Sequence, residues 1–250
     1  MTRATDVGPR HGLARVLSKR GVCSRSEAER WILAGRVAVD EHVVRNPEAP
    51  TTARARITVD GQPFAASAPL YLMLNKPRGL VTTTRDEQGR DTIYRCLDGA
   101  GLPWVAPVGR LDKASEGLLL LSNDPAWAAG ITDPGRGPSK TYHVQVDTVP
   151  DAALLAALEQ GVDSEGERLR ATAARLLRAG QKNAWLEIVL DEGRNRQIRR
   201  LLAAFDVAVL RLLRVAIGEL QLGALPKGQW RHLSEAEVAR LRSKTAAGIE

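Results

Sequence analysis

The run from Gly109 to Asp124, GRLDKASEGLLLLSND, puts a single carboxylate, Asp112, between Arg110 and Lys113, ahead of four consecutive leucines. An aspartate is ionised at neutral pH, so it can act as a nucleophile or base without a partner group to take its proton. An Asp beside an Arg is also the ordinary material of a structural ion pair. Two other residues suit chemistry. Tyr142, in KTYHVQV, shares a face with Val144 and Val146 and is either a core aromatic or a platform for a flat ligand. Arg199 stands with Arg194, Arg196 and Arg200 in RNRQIRRLL, four cations suited to solvent or to phosphate.

These side chains need rigid elements behind them. Leu118 to Leu121, bounded by Gly117 and by Ser122-Asn123-Asp124, reads as a short strand buried on both faces. KTYHVQV alternates strictly and predicts a strand, as does WLEIVL from Trp185 to Leu190. Pro150-Asp151 opens a helix over AALLAALEQ that Gly161 ends, and GRNRQIRRLLAAF predicts a helix with Ile198, Leu201 and Leu202 as its buried stripe. Nearer the start, HGLARVLSKRG gives a short helix stopped by Gly21. Ser24-Arg25-Ser26-Glu27 has the form of a capping box for a second helix that ends at Gly35. RVAVDEHVV alternates around Asp40-Glu41 as a hairpin would. QPFAASAP, small, polar and bounded by prolines, predicts a linker over 62–69 between a unit at 11–61 and a larger one at 70–244; residues 1–10 predict a frayed tail. Strands and helices alternate irregularly, which indicates an α+β protein with a mixed sheet rather than a doubly wound parallel one.

Lys and Arg outnumber Asp and Glu by 36 to 29, a net charge of +7 that points to a polyanionic partner. Residues 1–70 hold eleven basic and seven acidic side chains, so more than half of the excess lies in little more than a quarter of the length. Arg15, Lys19, Arg20, Arg25, Arg30 and Arg36 cluster around the two predicted helices. The first residues lack the apolar core of a signal peptide, and no stretch approaches the roughly 18 apolar residues of a spanning helix, so a cytoplasmic protein is expected. Cys23 and Cys96, far apart, are expected to be reduced thiols, and four scattered histidines give no metal-ligand spacing. No phosphate-cradling loop or dinucleotide fingerprint occurs, and ten aromatic rings are too few for a reader that stacks many successive bases.

The motif around Asp112 resembles the catalytic motif of the pseudouridine synthases that modify ribosomal RNA, the RsuA branch. NKPRG (75–79), KTYHV (140–144), EGRNRQIRRL (192–201) and the closing LRLLRVAIGELQLGALPKGQWRHL match that family in its order. Residues 11–61 resemble the S4-type RNA-binding domain through Gly21, Ser24, Arg25, Ala28, Gly35, Val37 and Val39, although that family usually turns its hairpin on Asn-Gly and this chain has Asp40-Glu41-His42. The resemblance implies isomerisation of a uridine within RNA: the N1–C1′ bond breaks, the uracil turns, and C5 bonds to C1′. Nothing is exchanged with a second substrate, so no cofactor is implied. It implies further that Asp112 is the catalytic carboxylate, attacking sugar or base or removing a sugar proton, that Tyr142 packs on the target base, and that Arg199 is the charge partner of Asp112, with Arg194 as its substitute. Lys76, Arg110 and Lys140 are expected to contact RNA phosphates or to order the loop around Asp112. Arg194 and Arg196 join Arg15, Lys19, Arg20, Arg25, Arg30 and Arg36 as expected phosphate contacts.

Two readings compete with this one. A non-catalytic RNA-binding or ribosome-assembly factor on a decayed enzyme fold would be favoured by loss of the Asp, Tyr or Arg, and all three are present. Glycoside hydrolysis needs two placed carboxylates, and the other acid of the motif, Glu116, has no independent support. Within the family, GRLDKASEGLL, PGRGPSKTYHV and EGRNRQIRRL look closer to large-subunit enzymes than to the small-subunit one, while Asp133-Pro134 departs from the usual His-Pro. A monomer working on ribosomal RNA or a pre-ribosomal particle is the expectation.

Overall fold

Gly21 and Gly35 end the first two helices, each in the left-handed conformation (φ +72°) that a side chain disfavours. In the computed structural model, which describes residues 9–64, 67–84 and 86–246, β1 (Arg10–Gly12) leads into α1 (Leu13–Lys19). Ser24 caps α2 (Arg25–Leu33) by accepting the Glu27 N–H at 3.1 Å. Leu13, Leu17, Ala28 and Ile32 form a small core with Val37, Ile57 and Phe64. β2 (Val37–Val39) and β3 (His42–Val43) make the expected hairpin. Asp40 and Glu41 turn it at φ 47° and 71°, so two residues without glycine's freedom adopt the tight turn that Asn-Gly would favour. β4 (Pro50–Thr52) pairs with β1, and β5 (Ile57–Val59) with β2.

A second hairpin follows where a linker was expected. Asp60-Gly61, both at positive φ, turns the chain into β6 (Gln62–Pro63), which pairs back on β5, and Phe64 packs edge-on against Trp31. The opening residues of the expected linker therefore belong to this sheet. Residues 65 and 66 of that linker and 1–8 of the expected tail lie outside the described residues. Contacts gather Met1–Leu70, with Ala100–Ala106 and Ser122–Pro125, into one unit and the remainder into a second.

The second unit begins with β7 (Tyr71–Lys76), then a 3-10 turn (Ile93–Leu97), β8 (Ala106–Val108), β9 (Glu116–Ser122) and α3 (Pro125–Thr132). β10 (Lys140–Val146) and α4 (Ala152–Gln160) match the expected strand and helix, and a hairpin of β11 (Val162–Ser164) and β12 (Glu167–Leu169) follows. Then come β13 (Ala173–Ala179), β14 (Ala184–Leu190), α5 (Gln197–Ala203), β15 (Val209–Ile217), β16 (Leu220–Gln221), β17 (Trp230–His232) and α6 (Glu235–Ala246). Among the described residues nine strands share one sheet in the order β13-β14-β10-β15-β9-β7-β17, with β16 on β15 and β8 on β9. β10 runs antiparallel to β14 and β15, whereas β15 and β9 are parallel, so the sheet is mixed as expected.

Leu118 to Leu121 are fully buried, each contributing about 1.5–3 kcal/mol. Leu118 and Leu120 meet Trp127 and Ile131 of α3 and Val238 and Leu241 of α6. Gly117 is required at the start of this strand: a Cβ there would collide with the Arg214 carbonyl of β15. β9 is therefore a fixed rod, and the Asp112 loop sits at its head.

Candidate active site

Between β8 and β9 the chain passes through Gly109 to Ser115, and the carbonyls of Leu111, Asp112, Lys113 and Ser115 in that loop are held. Thr82 Oγ1 donates to Leu111 O at 2.7 Å, Ser115 N–H to Asp112 O at 3.0 Å, and Gly79 N–H to Lys113 O at 2.8 Å. Lys76 Nζ completes the clamp, donating to Asp112 O at 3.1 Å, Ser115 O at 2.9 Å and Pro77 O at 3.2 Å. Lys76 has no exposed surface. Of the two roles expected of it, phosphate contact is closed to it and ordering of the Asp112 loop is the one it has. Burial pushes its ammonium down to about 8, opposed by the charges of Asp112, Cys96 and Glu116. NKPRG is thus a brace: Asn75 ties to Leu225 O at 2.7 Å, and Lys76 and Gly79 reach the Asp112 loop.

The Asp112 carboxylate is about one-third exposed, and the cation that meets it is Arg196, at 3.8 Å. Arg199, the expected partner, lies farther off; its Nη1 donates to Val209 O at 3.3 Å and its Nε is buried without a partner among the described residues. Burial lowers its pKa, Arg196 and Arg78 reinforce this, and Asp112 opposes it. Arg199 therefore feels the Asp112 charge without pairing with it. The cause is the start of α5. The expected helix from Gly193 begins only at Gln197, because Arg196 takes a left-handed conformation (φ 49°) at the N-cap. Backbone strain of this kind costs about 1–3 kcal/mol and clusters at functional sites. Buried Gln197 holds the preceding turn, accepting from Arg194 N–H at 3.1 Å and donating to Glu192 Oε1 at 2.8 Å and Arg170 O at 3.2 Å. Arg194 is occupied by Glu192 at 2.8 Å and Glu167 at 3.6 Å, so it is not the substitute partner of Asp112.

Asp112 opens onto a cleft of about 580 Å³ whose lining includes Arg110, Tyr142, Lys140, Arg194, Arg196 and Arg214. Tyr142 is 8% exposed, so its ring is part of the core and part of the wall. Arg110 stands exposed on the lining. Burial lowers the Lys140 ammonium, neighbouring Arg214 lowers it further, and Asp191 opposes both. Thr82, Gln197 and Arg214 were missed by sequence reasoning. A charged residue inside the apolar strand LRLLRVAI was the signal for Arg214; nothing marked Thr82. Glu116 is no second catalytic acid. It is buried and held by Arg211 at 3.1 and 3.2 Å and by Lys227; burial alone would raise its pKa, but these bonds win and lower it. No cluster of His, Cys, Asp or Glu among the described residues could hold a metal ion.

The expected phosphate contacts of the first unit divide into three kinds. Arg15 and Lys19 are exposed on α1, and no ion pair engages them among the described residues. Arg25, Arg30 and Arg36 are exposed but paired, with Glu48 and Glu29, with Glu27 and with Asp60 respectively. Arg20 turns inward, donating to Phe64 O, Ala53 O and Ala55 O at 3.2, 3.1 and 2.6 Å, and burial lowers its pKa. It ties the sheet of this unit together, which corrects its expected role as a phosphate contact.

Residues 70–204 match the RNA pseudouridylate synthase family and residues 12–51 the S4 domain. An uncharacterized RNA pseudouridine synthase of Aquifex aeolicus is 40% identical over 90% of this chain and 91% of its own. The ribosomal large subunit pseudouridine synthase B of Bacillus subtilis is 35% identical over 92% of this chain and 95% of its own. A crystal structure of a pseudouridylate synthase superposes with a TM-score of 0.65 at 28% identity, covering 94% of this chain and all of the other.

Proposed function

This chain belongs to the RNA pseudouridylate synthase family, and we propose that its substrate is a uridine of large-subunit ribosomal RNA. The likeness to the Bacillus subtilis large-subunit enzyme over nearly the whole of both chains supports that target. The observation that carries the assignment of the site is the Asp112 loop, fixed by Lys76, Thr82 and Gly79 at the mouth of a cleft that Tyr142 also lines.

Each residue then has a task. Asp112 is the carboxylate that attacks or assists departure of the base, poised on a loop held through the carbonyls of Leu111, Asp112, Lys113 and Ser115, so little reorganisation accompanies reaction. Arg196 holds that carboxylate in place at 3.8 Å, and Arg199 adds positive charge behind it. Extruding a nucleotide from a stack costs a few kcal/mol, and one aromatic stack returns about 1–3 kcal/mol of it, the part given to Tyr142. Arg15, Lys19 and the exposed Arg110 dock phosphates of the surrounding RNA; Arg25, Arg30, Arg36 and Arg194 reach them only by sharing or leaving their present carboxylates. Every group this reading needs comes from one chain, so it goes with an enzyme that works as a monomer.

The test is to map pseudouridines by carbodiimide-dependent primer-extension stops on large- and small-subunit ribosomal RNA, from cells with and without the gene. Loss of one stop in the large-subunit RNA is expected. Loss confined to small-subunit RNA would overturn the target, and no change in either would overturn a ribosomal substrate.

A further inference from the structure

A β-bulge in the cleft wall places a buried, partly unbonded arginine beside the aromatic platform. β10 and β15 pair Lys140 with Ile217 and Thr141 with Ala216, and then the register slips so that Tyr142 faces Arg214. Val215 is the extra residue. Side chains alternate along a strand, so without the slip Ile217 and Arg214 would project to opposite faces. With it, Leu212, Arg214 and Ile217 all line the cleft.

Arg214 is only 5% exposed. Its Nε donates to Leu118 O at 2.7 Å, while its Nη2 is buried with no hydrogen-bond partner among the described residues. Leaving a charged donor unpaired is expensive, so a buried one that lines a cavity implies an acceptor that arrives with the ligand. Lys140 lines the same cavity and also lacks an ion pair within 4 Å among the described residues. With neither cation held in an ion pair among the described residues, and Asp191 only a weaker, through-space influence on Lys140, this wall of the cleft is cationic.

We infer that Arg214 and Lys140 receive the negative charge that develops on the pyrimidine carbonyls of the target uridine. The inference rests on the assignment of this cleft as the site of reaction. A phosphate is the other anion RNA could present, but Arg214 lies opposite Tyr142 across the ladder, where Cα atoms are about 4.5–5.5 Å apart. Whatever ring Tyr142 packs against lies within its reach, and its lack of exposure keeps it from a backbone running along the rim.

The chemistry calls for such a pair whichever route Asp112 takes. When the N1–C1′ bond breaks, the bonding pair stays on the ring and spreads over O2 and O4. If the carboxylate adds at C6 instead, the enolate charge falls on O4. In either case the ring is neutral again once C5 has bonded to C1′, the Asp112 carboxylate has left the carbon it attacked with its bonding pair, the C5 proton has left and N1 has gained one. A cation fixed before the charge appears needs no reorganisation as it forms, and loss of one such donor typically costs about 10²–10³ in rate.

The experiment compares wild type, Arg214→Met and Lys140→Met in single-turnover reactions at saturating RNA, with uridine or 4-thiouridine or 2-thiouridine at the target. Sulfur accepts hydrogen bonds poorly. We expect each variant to slow uridine conversion by about 10²-fold or more with RNA affinity unchanged. One of the thio substrates should slow wild type yet slow Arg214→Met no further, the non-additivity of two changes to one contact. If Arg214→Met does not melt cooperatively, the Lys140→Met and thio-substrate arms decide alone. Variants that keep the rate at saturation but weaken binding with a shallower salt dependence would reassign the pair to a phosphate and overturn the inference. Variants within threefold of wild type in both would also overturn it. Wild type that converts no uridine would instead remove the assignment of the cleft on which it rests.

Discussion

Replacing Lys76 with methionine keeps most of the buried stem and removes three N–H donors at once. The acceptors are Pro77 O, Asp112 O and Ser115 O, at 3.2, 3.1 and 2.9 Å. Asp112 O keeps the Ser115 N–H at 3.0 Å, so the other two carbonyls bear most of the loss. Leaving both unsatisfied costs about 2–6 kcal/mol at ~1–3 kcal/mol each. The ammonium is itself disfavoured by burial, as its fall to about 8 shows, and its removal returns part of this. A net loss of about 1–3 kcal/mol lowers Tm by roughly 2–4 °C per kcal/mol and leaves the protein folded. The rate suffers more, since a misplacement of about 1 Å in a reacting group can cost ~10²-fold. Release of tritium from RNA labelled at uridine C5 reads the rate, and filter binding over a salt series reads the phosphate contacts. The expected result is a fall of about 10² or more in kcat with an unchanged salt slope, because Lys76 has no exposed surface. A salt slope reduced by about 0.7–0.9 with kcat nearly intact would refute the reasoning, since it is the signature of one lost phosphate contact.

The same residue gives a pH dependence. Above about pH 8 the ammonium loses its proton and one of its three donors, so wild-type kcat should fall on that alkaline limb, with the limb absent in Lys76→Met. For stability the sign is opposite. Between about 8 and 10.5 the unfolded chain holds a proton on Lys76 that the folded chain has lost, so this group favours folding more as pH rises. Tyr142→Phe should keep the stack and lose less rate than Tyr142→Ala; equal losses in single-turnover assays would move the weight to the hydroxyl. Arg15→Gln with Lys19→Gln should reduce the salt slope by up to about 1.4–1.8, whereas Arg20→Met should lower Tm and leave the slope alone. A reversed pattern in binding and melting measurements would undo the division of those three side chains.

Much of this fold is legible in the sequence where one physical signal acts alone. Leu118 to Leu121, short and bounded by Gly117 and Ser-Asn-Asp, reads as a buried strand and is one, and the alternation of KTYHVQV indicates both the strand Lys140–Val146 and the face that Tyr142 shares with Val144. The hairpin turn at Asp60-Gly61 was missed, because the prolines and alanines of QPFAASAP outweighed a two-residue turn signal and read as a linker. What could not be read is set by tertiary context. Lysine is almost always exposed, so nothing in NKPRG announces that Lys76 is buried under three carbonyls. Arg196 and Arg199 are equivalent on a helical wheel; they separate because Gln197 pins the turn before α5 and starts the helix late. Arg214 reaches the cleft through a bulge that arises from pairing with β10, a partner far away in sequence.

The most direct measurement is single-turnover pseudouridine formation by Asp112→Asn, alongside its RNA affinity, on the ribosomal RNA that wild type modifies. The amide keeps the size of the side chain and removes the charge that meets Arg196 at 3.8 Å. The account predicts no detectable pseudouridine with RNA binding close to wild type. Turnover above a few percent of wild type in a folded variant would contradict it, because the carboxylate at the head of β9 would then not be the reacting group.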